Sequence, residues 1–394
     1  MYFKPKYEYA NLLIEDFLKN KILSYSKDRN FVYFGNDALK NVSGLSPYIS
    51  CGFITEKYLL KKVINSKNNC EKFIQEIFWR IYWQGWLENY KNIWKTYNDR
   101  INFHEDNNLE SINNYLIAIS AETGIKPFDE WVTTLKQKGY LHNHVRMWFA
   151  SIWIHYLNIP WQLGAKFFHE NLLDADTASN LLSWRWVAGI QTVGKKYIAS
   201  IDNINKFTHN HYKKFMLPKV CNINLDTEIK QQTEISFTPL KKSYKNLALL
   251  VPETNLSLNL LNRLREDIKL VILIRFNISK LKKSKIVIDF HDELLKEFVK
   301  YNLSKKVKSY EIFFPDNTKK INQILINNNI ENLIFEYFKE GYEKNIFYKE
   351  LQTTNKKIIK HSILDSFYQN SWVHCKKGFF KFKEKIPLII RSLK

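Results

Sequence analysis

The hydrophobic period of this chain changes near Asn246, and that change limits the folds open to it. Before it, apolar residues recur at helical spacing in YEYANLLIEDFLKNKILSY, CEKFIQEIFWRIYWQGWLENY and LHNHVRMWFASIWIHYL. Strand-like alternation is nearly absent there, and Pro47, Gly52, Gly124 and Pro127 punctuate the loops. After it come the short apolar runs NLALLV, LVILIRF, SYEIFF, NLIFEYF and KIIKHS. Helical stretches such as DELLKEFVKYN and TKKINQILINN separate several of them. Strand and helix in alternation imply a parallel sheet with covering helices. The expected fold is therefore α plus α/β in two domains. An all-helical domain spans 1–215, a polar linker with Pro218 and Pro239 spans 216–245, and a Rossmann-like parallel α/β domain spans 246–394. No GxGxxG follows the first strand, so the ordinary dinucleotide fingerprint is missing.

The net charge of +21 favours phosphate-rich partners. The same Lys, Asn and Ile richness also follows from a biased base composition in the gene, so charge alone leaves both readings open. Cys51, Cys70, Cys221 and Cys375 show no CxxC spacing, so no metal site is expected. Four scattered thiols fit a reducing compartment, and the opening MYFKPKYEYANLL has no signal-peptide core. No run reaches eighteen apolar residues. A cytoplasmic monomer without membrane contact is the expectation.

Four stretches in the helical half carry chemistry. In DADTASNLLSWRW, Asp174 or Asp176 can cap a helix, and Asp176, Asn180 and Trp184 follow at i, i+4 and i+8. That stripe offers an acceptor, an amide and an indole; a capped core helix accounts for it equally well. In EIFWRIYW, Glu76, Trp79, Arg80 and Trp83 share one face, and Arg80 needs a carboxylate or a phosphate. In YLHNHVRMWFAS, Asn143, Arg146 and Met147 fall at i, i+3 and i+4. His142 and His144 flank Asn143 at a spacing that makes no metal face on a helix, so they are read as polar contacts. In SGLSPYISCG, Ser43 and Ser46 can offer hydroxyls to phosphate, although Ser-Pro also simply starts helices.

Together and in this order, the four stretches and TGIKPFDEW resemble the flavin-binding helical domain of the photolyase and cryptochrome family, over roughly residues 7 to 200. The resemblance is nearest to repair enzymes acting on cyclobutane pyrimidine dimers. It implies FAD held by the helices and a cavity open to DNA. Tyr25, Ser43, Leu45 and Ser46 match phosphate-holding positions. Arg80, Asn143, Arg146, Asp174 and Asp176 match flavin-contacting ones. Asn180 matches the residue facing flavin N5, where repair enzymes usually carry Asn and many signalling cryptochromes carry Asp or Cys. Glu76, Trp79, Asn143, Met147 and Trp186 match the walls of the dimer pocket. His142-Asn143 stands where (6-4) repair enzymes typically carry a His pair. Trp184 and Trp161 match the inner two members of the tryptophan chain that reduces oxidised flavin. The implied activity is that of a deoxyribodipyrimidine photo-lyase, a light-driven carbon–carbon lyase acting on DNA with pyrimidine dimers. The rival reading is a cryptochrome-like photoreceptor that binds FAD without repair.

The chain departs from the family pattern in three ways. NFHEDNNLESINNYL holds no tryptophan where the outer chain member belongs, Val42 and Tyr140 replace a frequent Thr and Trp, and the helical domain comes first. EYFKEGYEKNIFYKELQTTNKKIIKHSILDSF and GFFKFKEKIPLII resemble the end of the family's α/β antenna domain. The C-terminal half is thus either that domain in permuted order, with a second chromophore of unknown identity, or a module that only braces the helices. The basic balance yields a first prediction. Affinity for dimer-containing DNA should fall steeply between about 50 and 200 mM salt, because bound phosphates release counterions. A filter-binding series flat over that range would contradict a phosphate-directed role for the charge.

Overall fold

A computed structural model describes residues 3–393, apart from 67–69, 108, 193, 222, 224, 226–227, 279–280, 304–306 and 316–317. Among the described residues no strand precedes Leu247. Helices run from Tyr7–Asp16 to Ile201–Phe207, and several are started by a capping side chain or a proline. The Thr55 hydroxyl accepts from the Tyr58 N–H at the start of Glu56–Asn65, and Ser200 does the same for Ile201–Phe207. The Lys126–Lys138 helix has Pro127 in its first turn and closes on Gly139, left-handed at φ 64°. A Cβ at Gly139 would also lie 2.6 Å from Leu173 Cγ, so this stop packs against the chain just ahead of Asp174.

The C-terminal half is a five-stranded parallel sheet: β1 Leu247–Pro252, β2 Ile268–Phe276, β3 Lys308–Phe314, β4 Asn332–Glu336 and β5 Ile359–Ile363. Their order is β3-β2-β1-β4-β5. The five apolar runs read from the sequence are these five strands. β1 is buried along its whole length, as expected of a central strand covered on both faces. Period-two alternation divides its side chains between two cores. Leu247, Leu249 and Val251 join the core that continues through the helical half. Ala248 and Leu250 join a second core on the far face, with Leu270, Ile272, Leu333 and Phe335.

Direct bonds join the halves. Glu88, fully buried on the Glu71–Asn89 helix, accepts from the Tyr337 hydroxyl at 2.8 Å, the Glu340 N–H at 2.5 Å and Lys344 at 3.4 Å. Asp365 caps the Ser366–Trp372 helix and takes Lys57 at 3.0 Å. The Ser366–Trp372 and Phe379–Lys383 helices pack on the Glu71–Asn89 helix, so the end of the chain returns to the helical half. The stretch 216–245 has no regular element among its described residues. It runs along the helical half, where the Thr233 N–H donates to the Asn89 carbonyl at 2.8 Å and Glu228 pairs with Arg185 at 2.5 Å.

Gly85 is the tightest point of that return. A Cβ there would lie 2.5 Å from Trp372 Cδ1 and 2.8 Å from Cys375 Sγ. Gly85→Ala should therefore cost about 1–3 kcal/mol by overpacking. Urea unfolding checks this, and an unchanged midpoint would mean that the contact yields freely.

Candidate functional site

The site begins with a charge taken out of water. Arg80 lies two and a half turns into the Glu71–Asn89 helix, on its half-buried face. Its Nε donates to Glu56 Oε1 at 3.2 Å, and Nη2 lies 3.5 Å from Asp176 Oδ2. Burial opposes its charge, but Asp176 and Glu56 outweigh burial and raise its pKa. Glu56, itself buried, accepts a second bond from the Tyr368 hydroxyl at 2.6 Å. Burial would lift its pKa; Lys339, Arg80 and that hydroxyl hold it below the usual range.

Asp176 is the residue that caps the Thr177–Val187 helix, accepting from the Ser179 N–H at 2.8 Å. It also accepts from Gln84 at 3.1 Å. Asp174 takes the other role left open by the sequence. It is buried and forms a two-pronged pair with Arg146, at 2.9 and 2.8 Å. Arg146 in turn lies 5.4 Å over the Tyr140 ring, so the residue standing where a Trp is frequent still gives the guanidinium an aromatic face.

The remaining site residues separate by exposure. Tyr25, Ser43, Ser46, Glu76, Trp79, Met147, Asn180 and Trp186 are half-buried and Asn143 is exposed. Leu45, Trp161 and Trp184 are buried. Asn180 donates from Nδ2 to the Ala165 carbonyl at 2.7 Å, which orients its amide. Glu76 meets Lys72 at 2.7 Å and Arg29 at 3.7 Å. Trp186 stacks on Tyr197 at 5.7 Å. Trp79 stacks on Phe379 of the C-terminal segment at 3.5 Å and 9°, so one face of the indole is already covered. Nothing in the local spacing around Trp79 announces a partner some three hundred residues away. His142 Nδ1 accepts from the His144 N–H at 3.2 Å.

Buried polar atoms without protein partners, beside the positions that the resemblance gives to the flavin, fit a bound FAD. Asn41 Oδ1, His142 Nε2 and Ser179 Oγ are buried without a hydrogen-bond partner. Each lies at or next to a segment assigned to the flavin: the Val42–Ser46 loop, Asn143 and Asn180. Buried polar atoms normally find partners, and a flat dinucleotide rich in donors and acceptors supplies them.

A second space lies between the halves. A cavity of about 730 Å³ opens at the carboxyl ends of β1, β4 and β5, beside the point where the strand order reverses. Of the residues singled out in the sequence, Asp176 belongs to its wall. Glu56, Gln84, His169, Glu336 and Tyr368 also line it and were not anticipated. They come from separate segments, and the one available signal was that Arg80 required an acid. Glu336 Oε1, Gln84 Oε1 and His169 Nδ1 are buried without partners there. Burial lowers the His169 pKa to about 3, so its ring is neutral. Burial raises that of Glu336. The wall presents these acceptors together with Lys57, Lys61 and Lys339, so it suits a polar ligand with both donors and acceptors.

Residues 73–244 match the family profile described as the FAD binding domain of DNA photolyase. Tyr25, Ser43, Leu45 and Ser46 precede that span, and the sheet follows it. The chain is 27% identical over 199 residues to the deoxyribodipyrimidine photo-lyase of Alkalihalophilus pseudofirmus, covering 48% of this chain and 39% of that one. It is 31% identical over 186 residues to the Agrobacterium fabrum protein of the same name, covering 45% and 36%. It is 23% identical over 206 residues to cryptochrome-2 of Arabidopsis thaliana, covering 47% and 31%. The chain thus spans well under half the length of these relatives.

The Asp176 carboxylate gives this site a pH signature. Burial would raise its pKa, but Arg80, Lys339 and the Ser179 bonds carry it from 3.8 to about 2. A depressed pKa contributes stability that is present above the unfolded value and lost as pH falls through the folded one. Asp176→Asn should lower stability by about 2 kcal/mol near neutral pH, with the gap to the parent closing between about pH 4 and pH 2. A gap of constant size down to pH 2 would remove Asp176 as the ionised partner of Arg80.

Proposed function

This chain belongs to the photolyase and cryptochrome family through its FAD-binding helical domain, and from that premise we propose that it repairs cyclobutane pyrimidine dimers in DNA with light. The observation that carries the reading is one of exposure. Among the side chains assigned to a lesion, Asn143 is exposed and Glu76, Trp79, Met147 and Trp186 keep part of their surface accessible, while Trp161 and Trp184 are buried. A dimer flipped out of the duplex needs such a mixed polar and aromatic surface.

Reduced FAD, when bound, supplies a photoexcitable electron donor to the dimer, whose two cyclobutane carbon–carbon bonds then open. The Arg146–Asp174 pair, Arg80 with Asp176, and the Ser43–Ser46 loop hold the cofactor. The bond to Ala165 orients the Asn180 amide. Glu76 and Asn143 accept and donate at the base edges, the open face of Trp79 and the ring of Trp186 pack against the puckered dimer, and Met147 fills the irregular space. Lys and Arg side chains meet the phosphate backbone. The cavity at the strand ends takes a second, polar chromophore, which makes the C-terminal half an antenna domain in permuted order. No described helix is long and apolar enough to cross a membrane.

Similarity to a cryptochrome supports a photoreceptor as the second reading. One experiment separates the two. The purified protein, loaded with FAD and reduced, is illuminated with an oligonucleotide containing one thymine dimer, and intact thymines are counted by chromatography. Light-dependent restoration is expected. A yellow protein that leaves the dimer intact supports the photoreceptor instead, and a protein that cannot be loaded with FAD overturns both.

A further inference from the structure

The tryptophan chain implied by Trp184 and Trp161 has no outer tryptophan in the stretch before Thr123. The structure offers another route. Trp184 is buried, with its ring edge against Gly164: a Cβ at Gly164 would lie 2.3 Å from Trp184 Cη2. Trp161 stands one turn before Gly164 on the Trp161–Asn171 helix, so it lies on the side of that helix against which Trp184 packs. Trp161 then stacks on Tyr97 of the Lys91–Asn107 helix, with centroids 5.6 Å apart and planes at 27°. The Tyr97 hydroxyl lies 3.0 Å from the hydroxyl of Tyr342, which opens the helix after β4 and is half-buried. The Gln162 carbonyl is farther from Tyr97, at 3.4 Å.

We propose that Tyr97 is the outer member of the electron-transfer chain that starts at Trp184 and passes through Trp161, with Tyr342 as the acceptor of its proton. The proposal rests on the flavin reading of the helical half. Photoexcited oxidised FAD is the electron acceptor. An electron leaves Trp184, is replaced from Trp161, and is replaced there from Tyr97. Tyr97 thus loses one electron, and its O–H bond breaks. The proton moves to the Tyr342 oxygen while Tyr342 releases its own to water, and a neutral tyrosyl radical remains. An added thiol returns a hydrogen atom to Tyr97.

The Arg185 guanidinium, paired with Glu228, sits 5.9 Å from the Trp161 ring. A second route exists from Trp184 through Trp153 to Tyr115, at 6.0 and 5.8 Å. Both of its contacts are edge-on, at 81° and 78°, where ring orbitals overlap less than in the Trp161–Tyr97 stack.

The test is transient absorption of the full chain loaded with oxidised FAD. Tyr97→Phe keeps the stacked ring and removes the oxidisable phenol, so FAD content and melting temperature serve as controls for folding. In the parent a tyrosyl signal should follow the tryptophan signal and form more slowly in D2O. In Tyr97→Phe it should be lost, with the yield of lasting flavin reduction falling several-fold. In Tyr342→Phe it should form more slowly. A parent with no tyrosyl signal, or a Tyr97→Phe protein that retains it, overturns the proposal while the FAD reading stands. Loss of the signal in Trp153→Phe but not in Tyr97→Phe overturns it in favour of Tyr115. A chain that takes up no FAD overturns both.

Discussion

Arg80 cannot be buried alone. An ionised guanidinium inside a protein is tolerated when carboxylates accompany it and the remaining donors are bonded, and removing one partner leaves an uncompensated charge. Here the partners are Glu56 and Asp176. Glu56 starts one helix, and Asp176 caps another. Satisfying one side chain therefore brings three helices to a common point. Tyr368 reaches the same place from beyond the sheet, through its bond to Glu56. The position of Asn180, one turn beyond Asp176, follows from the cap, and so does the depth at which Trp184 is buried.

The seam between the halves obeys a second rule. A parallel sheet must cover both faces, and one face of this sheet is covered by the same core that runs through the helices. Residues at the carboxyl ends of its strands meet the helical half across a cavity. Carboxylates along this seam are either bonded across it, as Glu88 of the helical half is to Tyr337 and Glu340, or left with an unpartnered oxygen, as Glu336 is. That mixture of closed and open bonds makes the seam both a structural joint and a ligand space. Tyr97 and Tyr342 meet across it, so the route proposed for electron transfer also depends on the two halves staying together.

Much of the architecture was legible from periodicity. The five strand segments, the helices up to Ile201–Phe207, and the helix starting at Thr177 follow from spacing and capping residues. The site was legible in part. The sequence named Asp174 and Asp176 as alternative caps without choosing; the structure gives the cap to Asp176 and Arg146 to Asp174, because only Asp176 directly precedes the helix. It asked for a partner for Arg80 without supplying Glu56. It put Trp79 on a ligand-facing stripe with no sign that Phe379 would cover one face of the ring. Tyr97 carried no signal at all, since its importance lies in what stands opposite.

The sequence by itself determined the local elements, the order of the two halves and the kinds of side chain available to a flavin. Those properties depend on neighbours within a few turns, where the period and the caps act. Only the tertiary structure decided which acid neutralises which base, which indoles are open and which are enclosed, and that a cavity forms at the strand ends. Ion pairing, stacking and desolvation are set by distances of a few ångströms between residues far apart in the chain. Linear spacing carries no measure of those distances until the helices and the sheet have packed.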